Sequence, residues 1–182
     1  MQSCCFTGYR PHRLTSYYKD FSAEKLQKAL QEQITALYAA GCRTFVTGMC
    51  LGVDMWAAAE VLVLKERFPD VQLVAAVPFR GQEERWSKAD QQEYERLLAC
   101  CDRVEILFER PATKEAAAGC YRRRNRWMVE HTDMVLAVYD MGTADLRSGT
   151  AATVRYARRL WRPIRHIHPQ TLAIINEIVE QR

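Results

Sequence analysis

Arg43-Thr44-Phe45-Val46-Thr47-Gly48-Met49-Cys50-Leu51-Gly52-Val53-Asp54-Met55-Trp56-Ala57-Ala58 reads as a short apolar strand, a turn with two glycines and the opening of a helix. Glycine lets backbone amides come close to a ligand, and the helix that follows brings the positive end of its dipole to the same turn. The spacing is G-x-x-x-G, so the stretch is neither G-x-G-x-x-G nor a P-loop, and no Lys-Ser/Thr follows. By mechanism it predicts a phosphate cradle built on Gly48, Leu51 and Gly52. Asp54 is placed to cap the helix, to orient the loop or to take a ribose hydroxyl.

Outward from this unit, apolar runs of strand length recur at Cys4–Phe6, Arg43–Val46, Val71–Val77, Arg103–Phe108, Met134–Val138 and Ile164–Ile167. Each interval is long enough for a helix, and the runs are near-continuous rather than alternating, as in parallel strands covered on both faces. The expected fold is therefore α/β: a Rossmann-like, doubly wound, mostly parallel sheet with helices on both faces. Leu26, Leu30, Ile34 and Leu37 define a first helix face, with Ser22 as cap and Gly41 as stop. Further helices are predicted over Asp54–Arg67, Gln91–Cys100, Glu115–Glu130, Gly149–Leu160 and Pro169–Val179. Irregular connections are expected at Gly8–Phe21, Pro78–Asp90, Arg110–Lys114 and Tyr139–Arg147. No repeat or Pro/Gly/Ser-rich linker divides the 182 residues, so residues 1–182 are expected to form a single domain.

A formal net charge of +4 and a pI near 8.7 favour anionic ligands without demanding nucleic acid. No membrane span or secretory leader is visible, and the seven cysteines form no disulfide framework, which points to a cytoplasmic protein with reduced thiols. The pairs Cys4-Cys5 and Cys100-Cys101 read as buried core residues. Neither the cysteines nor His12, His131, His166 and His168 have the spacing of a zinc site, so no metal is expected.

In an open parallel sheet, ligands bind beyond the carboxyl ends of the strands, so the other turns there are candidates for anion chemistry. Thr7-Gly8-Tyr9-Arg10-Pro11 offers a glycine able to take positive φ, with Thr7 and Arg10 as donors; an ordinary turn would look the same. Asp140-Met141-Gly142 and Arg147-Ser148-Gly149-Thr150 precede a helix with small residues in its first turn, although a plain capped helix fits them too. In Arg122-Arg123-Arg124-Asn125-Arg126 successive side chains step about 100° around a helix, so Arg122 and Arg126 share a face while Arg124 and Asn125 point elsewhere. A solvated basic face is the alternative. Arg80 and Trp86 lie in a long loop able to close over a site, and Tyr17, Tyr18, Trp127 and Trp161 offer stacking surfaces, but no spacing marks a mechanism. No Ser-His-Asp, Cys-His or paired-carboxylate constellation stands out, so no catalytic residue is assigned.

Taken together these turns resemble the SLOG superfamily, the Rossmann-like group that includes the YpsA-like proteins, DprA and the LOG phosphoribohydrolases. The likeness is greatest to the bacterial YpsA-like branch. It rests on Thr7-Gly8-Tyr9-Arg10-Pro11, Thr47-Gly48, Leu51-Gly52-Val53-Asp54-Met55-Trp56-Ala57-Ala58, Val77-Pro78-Phe79, Trp86, and Arg124-Asn125 before Asp133. The resemblance implies a pocket for a nucleotide or nucleotide-derived ligand, lined by the two glycine loops and Ser148-Gly149-Thr150, with Arg10 and Arg124 adding charge. No further cofactor is implied.

LOG enzymes carry P-G-G-x-G-T-x-x-E, whose glutamate assists cleavage of the bond between base and ribose phosphate. Gly149-Thr150 match the G-T, but Arg147 and Ser148 replace the lead-in and Thr153 stands at the glutamate position. A binding protein acting as sensor or regulator is therefore expected first. A nucleotide-processing hydrolase recruiting Asp54, Glu60 or Asp140 is the alternative. Single-stranded nucleic-acid binding through Arg122–Arg126, suggested by the relation to DprA, comes third, and self-association into a homo-oligomer stays open.

Overall fold

The computed structural model describes residues 2–142 and 148–178. Its element order is β1 (Ser3–Gly8), α1 (Pro11–Tyr17), α2 (Ala23–Ala39), β2 (Thr44–Thr47), α3 (Val53–Arg67), β3 (Gln72–Val77), α4 (Lys88–Ala99), β4 (Arg103–Ile106), α5 (Lys114–Glu130), β5 (Met134–Val138), α6 (Gly149–Arg159), β6 (Ile164–Ile167) and β7 (Ile174–Glu177). The strands form one seven-stranded sheet in the order β4-β3-β2-β1-β5-β6-β7, parallel except for β7 on β6. The doubly wound, Rossmann-like expectation holds.

The apolar runs explain the layering. β1 is buried from Cys4 to Thr7 and β5 throughout, as central parallel strands must be when helices cover both faces. α2 and α3 pack together on one face with α4 beside α3, while α5 and α6 pack together on the other. In α2 the predicted stripe Leu26, Leu30, Ile34 and Leu37 is fully buried, Ser22 accepts from the Lys25 amide and Gly41 takes φ 98° beyond the last turn. Asp133 fixes the register at the sheet's centre: its Oδ2 accepts from the Gln2 and Ser3 amides at 2.6 and 3.0 Å, tying the start of β5 to β1.

Some expected boundaries need correction. The stretch Gly8–Phe21 is not wholly irregular, because Pro11 opens α1, whose Leu14 is buried along with Tyr18 one turn later. α4 begins at Lys88, capped by Ser87, rather than at Gln91. Cys100 is exposed and Cys101 half-buried, since they follow α4 at the surface instead of entering the core. The segment from Pro169 is not a helix: the His168 imidazole accepts from the Gln170 and Thr171 amides, Leu172 takes φ 59°, and β7 then pairs antiparallel with β6. The β-branched pair Ile174-Ile175 suits a strand, and pairing satisfies the otherwise open edge of β6. Val179, the expected end of that helix, lies outside the described residues.

β6 and β7 are joined by charge as well. Buried His166 places Nε2 2.9 Å from Glu177 Oε2, and Arg158 of α6 clasps the same carboxylate at 2.6 and 2.9 Å. Burial pushes the His166 imidazole below its ordinary value, with Glu177 partly opposing, and Arg158 holds the Glu177 carboxyl below its own. Both shifts leave the folded chain binding fewer protons than the unfolded chain. The stability they supply is therefore present at neutral pH and is lost on acidification, beginning as pH falls below about 6.5, where unfolded histidine charges. Denaturant midpoints should fall between about pH 7.5 and pH 5.5, and His166→Gln should flatten that slope; an equal slope in the variant would assign the acid sensitivity elsewhere.

Candidate functional site

β2 ends at Thr47, and that hydroxyl closes the next turn: Oγ1 accepts from the Met49 amide at 3.2 Å and donates to the Asp54 carbonyl at 2.8 Å. Met49 and Gly52 take positive φ, 54° and 92°, which folds the chain back on itself before α3 begins. From the other face of the sheet α5 sends in Arg124, whose side chain is only 3% exposed. Its Nη1 donates to Asp54 Oδ2 at 3.1 Å and its Nη2 to Cys50 Sγ at 3.0 Å. Burial pushes the Asp54 carboxyl above its ordinary value, and the charge and hydrogen bond of Arg124 partly offset that shift. The guanidinium keeps its charge. Arg124 Nε is buried without a hydrogen-bond partner.

The glycines thus serve contacts that sequence reasoning did not foresee. A Cβ at Gly48 would stand 0.9 Å from Arg124 Nη1, so this position is empty to make room for a guanidinium. Gly48 does not line the cleft described below. Gly8 does, but it has no positive φ; a Cβ there would meet the Val53 side chain at 2.5 Å, so glycine allows β1 to abut the head of α3.

A cleft of about 320 Å³ opens at the carboxyl ends of β1 and β5, where the strand order reverses direction. Of the expected site residues it gathers Thr7, Gly8, Arg10, Leu51, Asp54, Arg124, Asn125, Ser148, Gly149 and Thr150. Ser148 spends its hydroxyl on the Ala151 amide at 3.0 Å as cap of α6, which leaves Gly149 and Thr150 at the helix head among the residues lining the cleft. Gly52 and Glu60 line a separate opening beside α3. Asp140 is also elsewhere: its carboxylate accepts from the Gly142 amide at 2.7 Å and from Tyr18 Oη at 3.3 Å, and His168 approaches at 3.5 Å, so it ties the end of β5 to its neighbours. Arg147 falls outside the described residues.

His12, Arg13, Cys50 and Tyr121 also line the cleft and were not singled out. His12 and Arg13 arrive on α1, which was legible from Pro11 followed by Leu14 and Tyr18 at helical spacing. Nothing local marks Cys50 or Tyr121. Of the arginine run, Arg123 lies 3.9 Å from the Phe108 ring centre and Arg124 is buried, while Arg122 and Arg126 stay on a shared outer face. Trp86 packs edge-on against Tyr94, and Arg80 and Trp86 are both outside the cleft. Thr153 acts as a strut: it accepts from Asn125 Nδ2 at 3.0 Å and donates to the Gly149 carbonyl at 2.8 Å. Among the described residues lining the cleft, the one carboxylate is that of Asp54. No group of three His, Cys, Asp or Glu side chains able to hold a metal occurs among the described residues, and no helix there is long and apolar enough to cross a membrane.

A parallel sheet with a cleft at its reversal point, framed by two strand-end turns and the head of a helix, defines the chain as a Rossmann-like α/β protein. Comparison with known proteins narrows this. The family model described as the YspA SLOG family matches residues 4–172, and the chain belongs to that family. UPF0398 proteins of Bacillus pumilus and Bacillus licheniformis are 36% and 33% identical to it over 141 residues, covering 77% of this chain and 74% and 75% of theirs. The structure of DNA processing protein A from Helicobacter pylori, described for its single-stranded DNA binding mode, superposes with a TM-score of 0.58 at 18% identity. That match covers 93% of this chain and 66% of the other, and it speaks to the fold.

The packing of Arg124 into the space at Gly48 gives a coupled pair of substitutions. Gly48→Ala must displace the guanidinium from Asp54 and should cost about 3–5 kcal/mol in denaturant unfolding, the range for breaking a buried ion pair. On an Arg124→Ala background the same change still meets Asp54 Oδ2 at 2.6 Å but should cost clearly less than in the wild type, and additive losses would contradict the contact.

Proposed function

We propose that this protein binds a nucleotide or nucleotide-derived anion in the strand-end cleft and acts as a sensor or regulator. The observation that carries this reading is the Arg124 guanidinium: a buried charge at the cleft wall, paired on one side with Asp54 and left with an unpartnered Nε. Arg10 lines the same cleft, so among the described residues lining it arginines outnumber the single carboxylate. A phosphate would meet the exposed charge of Arg10 and offer an acceptor to the orphan Nε of Arg124, and the amides at the head of α6 favour the same charge.

Binding without turnover is favoured by what surrounds the cleft. Acid or base chemistry at a glycosidic bond calls for a free carboxylate, but Asp54 already neutralises Arg124, Thr153 is bonded on both sides, and Asp140 and Glu60 do not line the cleft. Nucleic acid is a second reading, supported by the fold shared with the DNA-binding protein of Helicobacter pylori. Seven free thiols suit the reducing conditions of the cytoplasm.

A thermal-shift series with AMP, NAD, ADP-ribose and cyclic dinucleotides tests the proposal. At about a hundred times its Kd, a ligand of the folded state contributes about 2.7 kcal/mol, raising the melting temperature of a chain this size by roughly 5–10 °C. Arg10 is exposed, so Arg10→Ala should leave the unliganded melting temperature in place and remove most of the shift. An unchanged shift in that variant would put the ligand elsewhere, and silence across the series would refute the nucleotide reading.

A further inference from the structure

A second opening of about 240 Å³ lies between α5 and α6 and shares Asn125 and Gly149 with the strand-end cleft. Its walls carry Arg122 and Arg126 on α5, and Arg155 and Arg159 on α6. Within each helix the two arginines stand four residues apart, which places them on one face. Packing of α5 on α6 then brings both faces to one groove. The like charges of Arg122, Arg126 and Arg159 on one groove repel, and an anion between them relieves the repulsion.

No carboxylate of the described residues stands within ion-pair distance of Arg122, Arg126 or Arg159. Arg126 lies 5.3 Å from the centre of the Tyr156 ring, and the Tyr156 hydroxyl donates to Glu130, so that nearby carboxylate is engaged by a neutral group. Where the two openings meet, the Asn125–Thr153–Gly149 hydrogen bonds join the helices without any charge. A phosphate chain crossing there meets no carboxylate among the described residues lining that junction. The strand-end cleft by itself is at the lower end of the ~300–1,000 Å³ usual for small-molecule sites, and the groove extends it.

We infer that the two openings are lobes of one site and that its ligand is of the dinucleotide class, with one phosphate in the strand-end cleft and a second between α5 and α6. The inference rests on the reading of that cleft as a nucleotide site. A small ligand fits better than a long strand, because the basic face does not continue along α5: Arg123 lies against Phe108 and Arg124 is buried.

Calorimetric titration of the full chain with AMP and GMP, and with the 5′-phosphorylated dinucleotides pApA and pGpG, tests it. The better dinucleotide should bind about tenfold more tightly than its mononucleotide. An Arg126→Ala/Arg159→Ala variant, altered only at exposed positions, should lose that gain and keep mononucleotide affinity within about twofold. Equal affinity for both sizes in the wild type would overturn the second lobe while leaving the nucleotide reading intact. Failure of all four probes would remove both. Affinity that keeps rising with oligonucleotide length and collapses with added salt would make the groove a nucleic-acid track and overturn the dinucleotide assignment.

Discussion

Arg124 crosses from α5 to the far side of the sheet and pairs with Asp54 at the head of α3, and the strand-end architecture is arranged around that contact. Taking two charges out of water costs several kcal/mol per ion, so such a pair persists only where geometry and extra hydrogen bonds compensate. Here Gly48 leaves the volume, Asp54 supplies the countercharge and Cys50 accepts a further hydrogen bond. The same guanidinium that clamps α5 over the β2–α3 turn also forms the wall of the cleft. Structural and electrostatic roles are therefore carried by one side chain, and any ligand charge brought to the cleft acts on the clamp.

Around this centre the chain departs from the pattern of a phosphoribohydrolase. The position that holds a glutamate in that signature holds Thr153, whose hydroxyl is absorbed in joining α5 to α6. The consequence is a junction without charge between two positively lined openings. Removing a carboxylate both withdraws the group that would stabilise a cationic centre and lowers the barrier to a bound polyanion. Both effects are in keeping with the proposed reading of the cleft as a binding site for an anion.

Much of this was legible along the chain. Near-continuous apolar runs alternating with helical stripes specify a doubly wound parallel sheet, because only strands covered on both faces tolerate such runs. The strand-end turns were likewise visible as glycines and small polar residues between a strand and a helix, and most of the residues named there line the cleft. Two local patterns were ambiguous. Pro11 with Leu14 and Tyr18 makes a helix short enough to pass for a loop, and the segment after Pro169 carries apolar spacing compatible with helix or strand until the exposed edge of β6 selects the strand.

Taken by itself, then, the sequence determined the layer architecture, the order of its elements and the turns that border the cleft, since periodicity and turn chemistry are local properties. Tertiary structure alone decided what each residue in those turns does. Gly48 and Arg124 are far apart in the chain, and nothing near either one announces that the glycine is empty for the guanidinium. Asp54 turned inward to a partner seventy positions away and Asp140 was drawn to Tyr18 and His168, so neither serves as a free carboxylate. Which side chain neutralises which buried charge depends on distances across the sheet, and those exist only once the chain has folded.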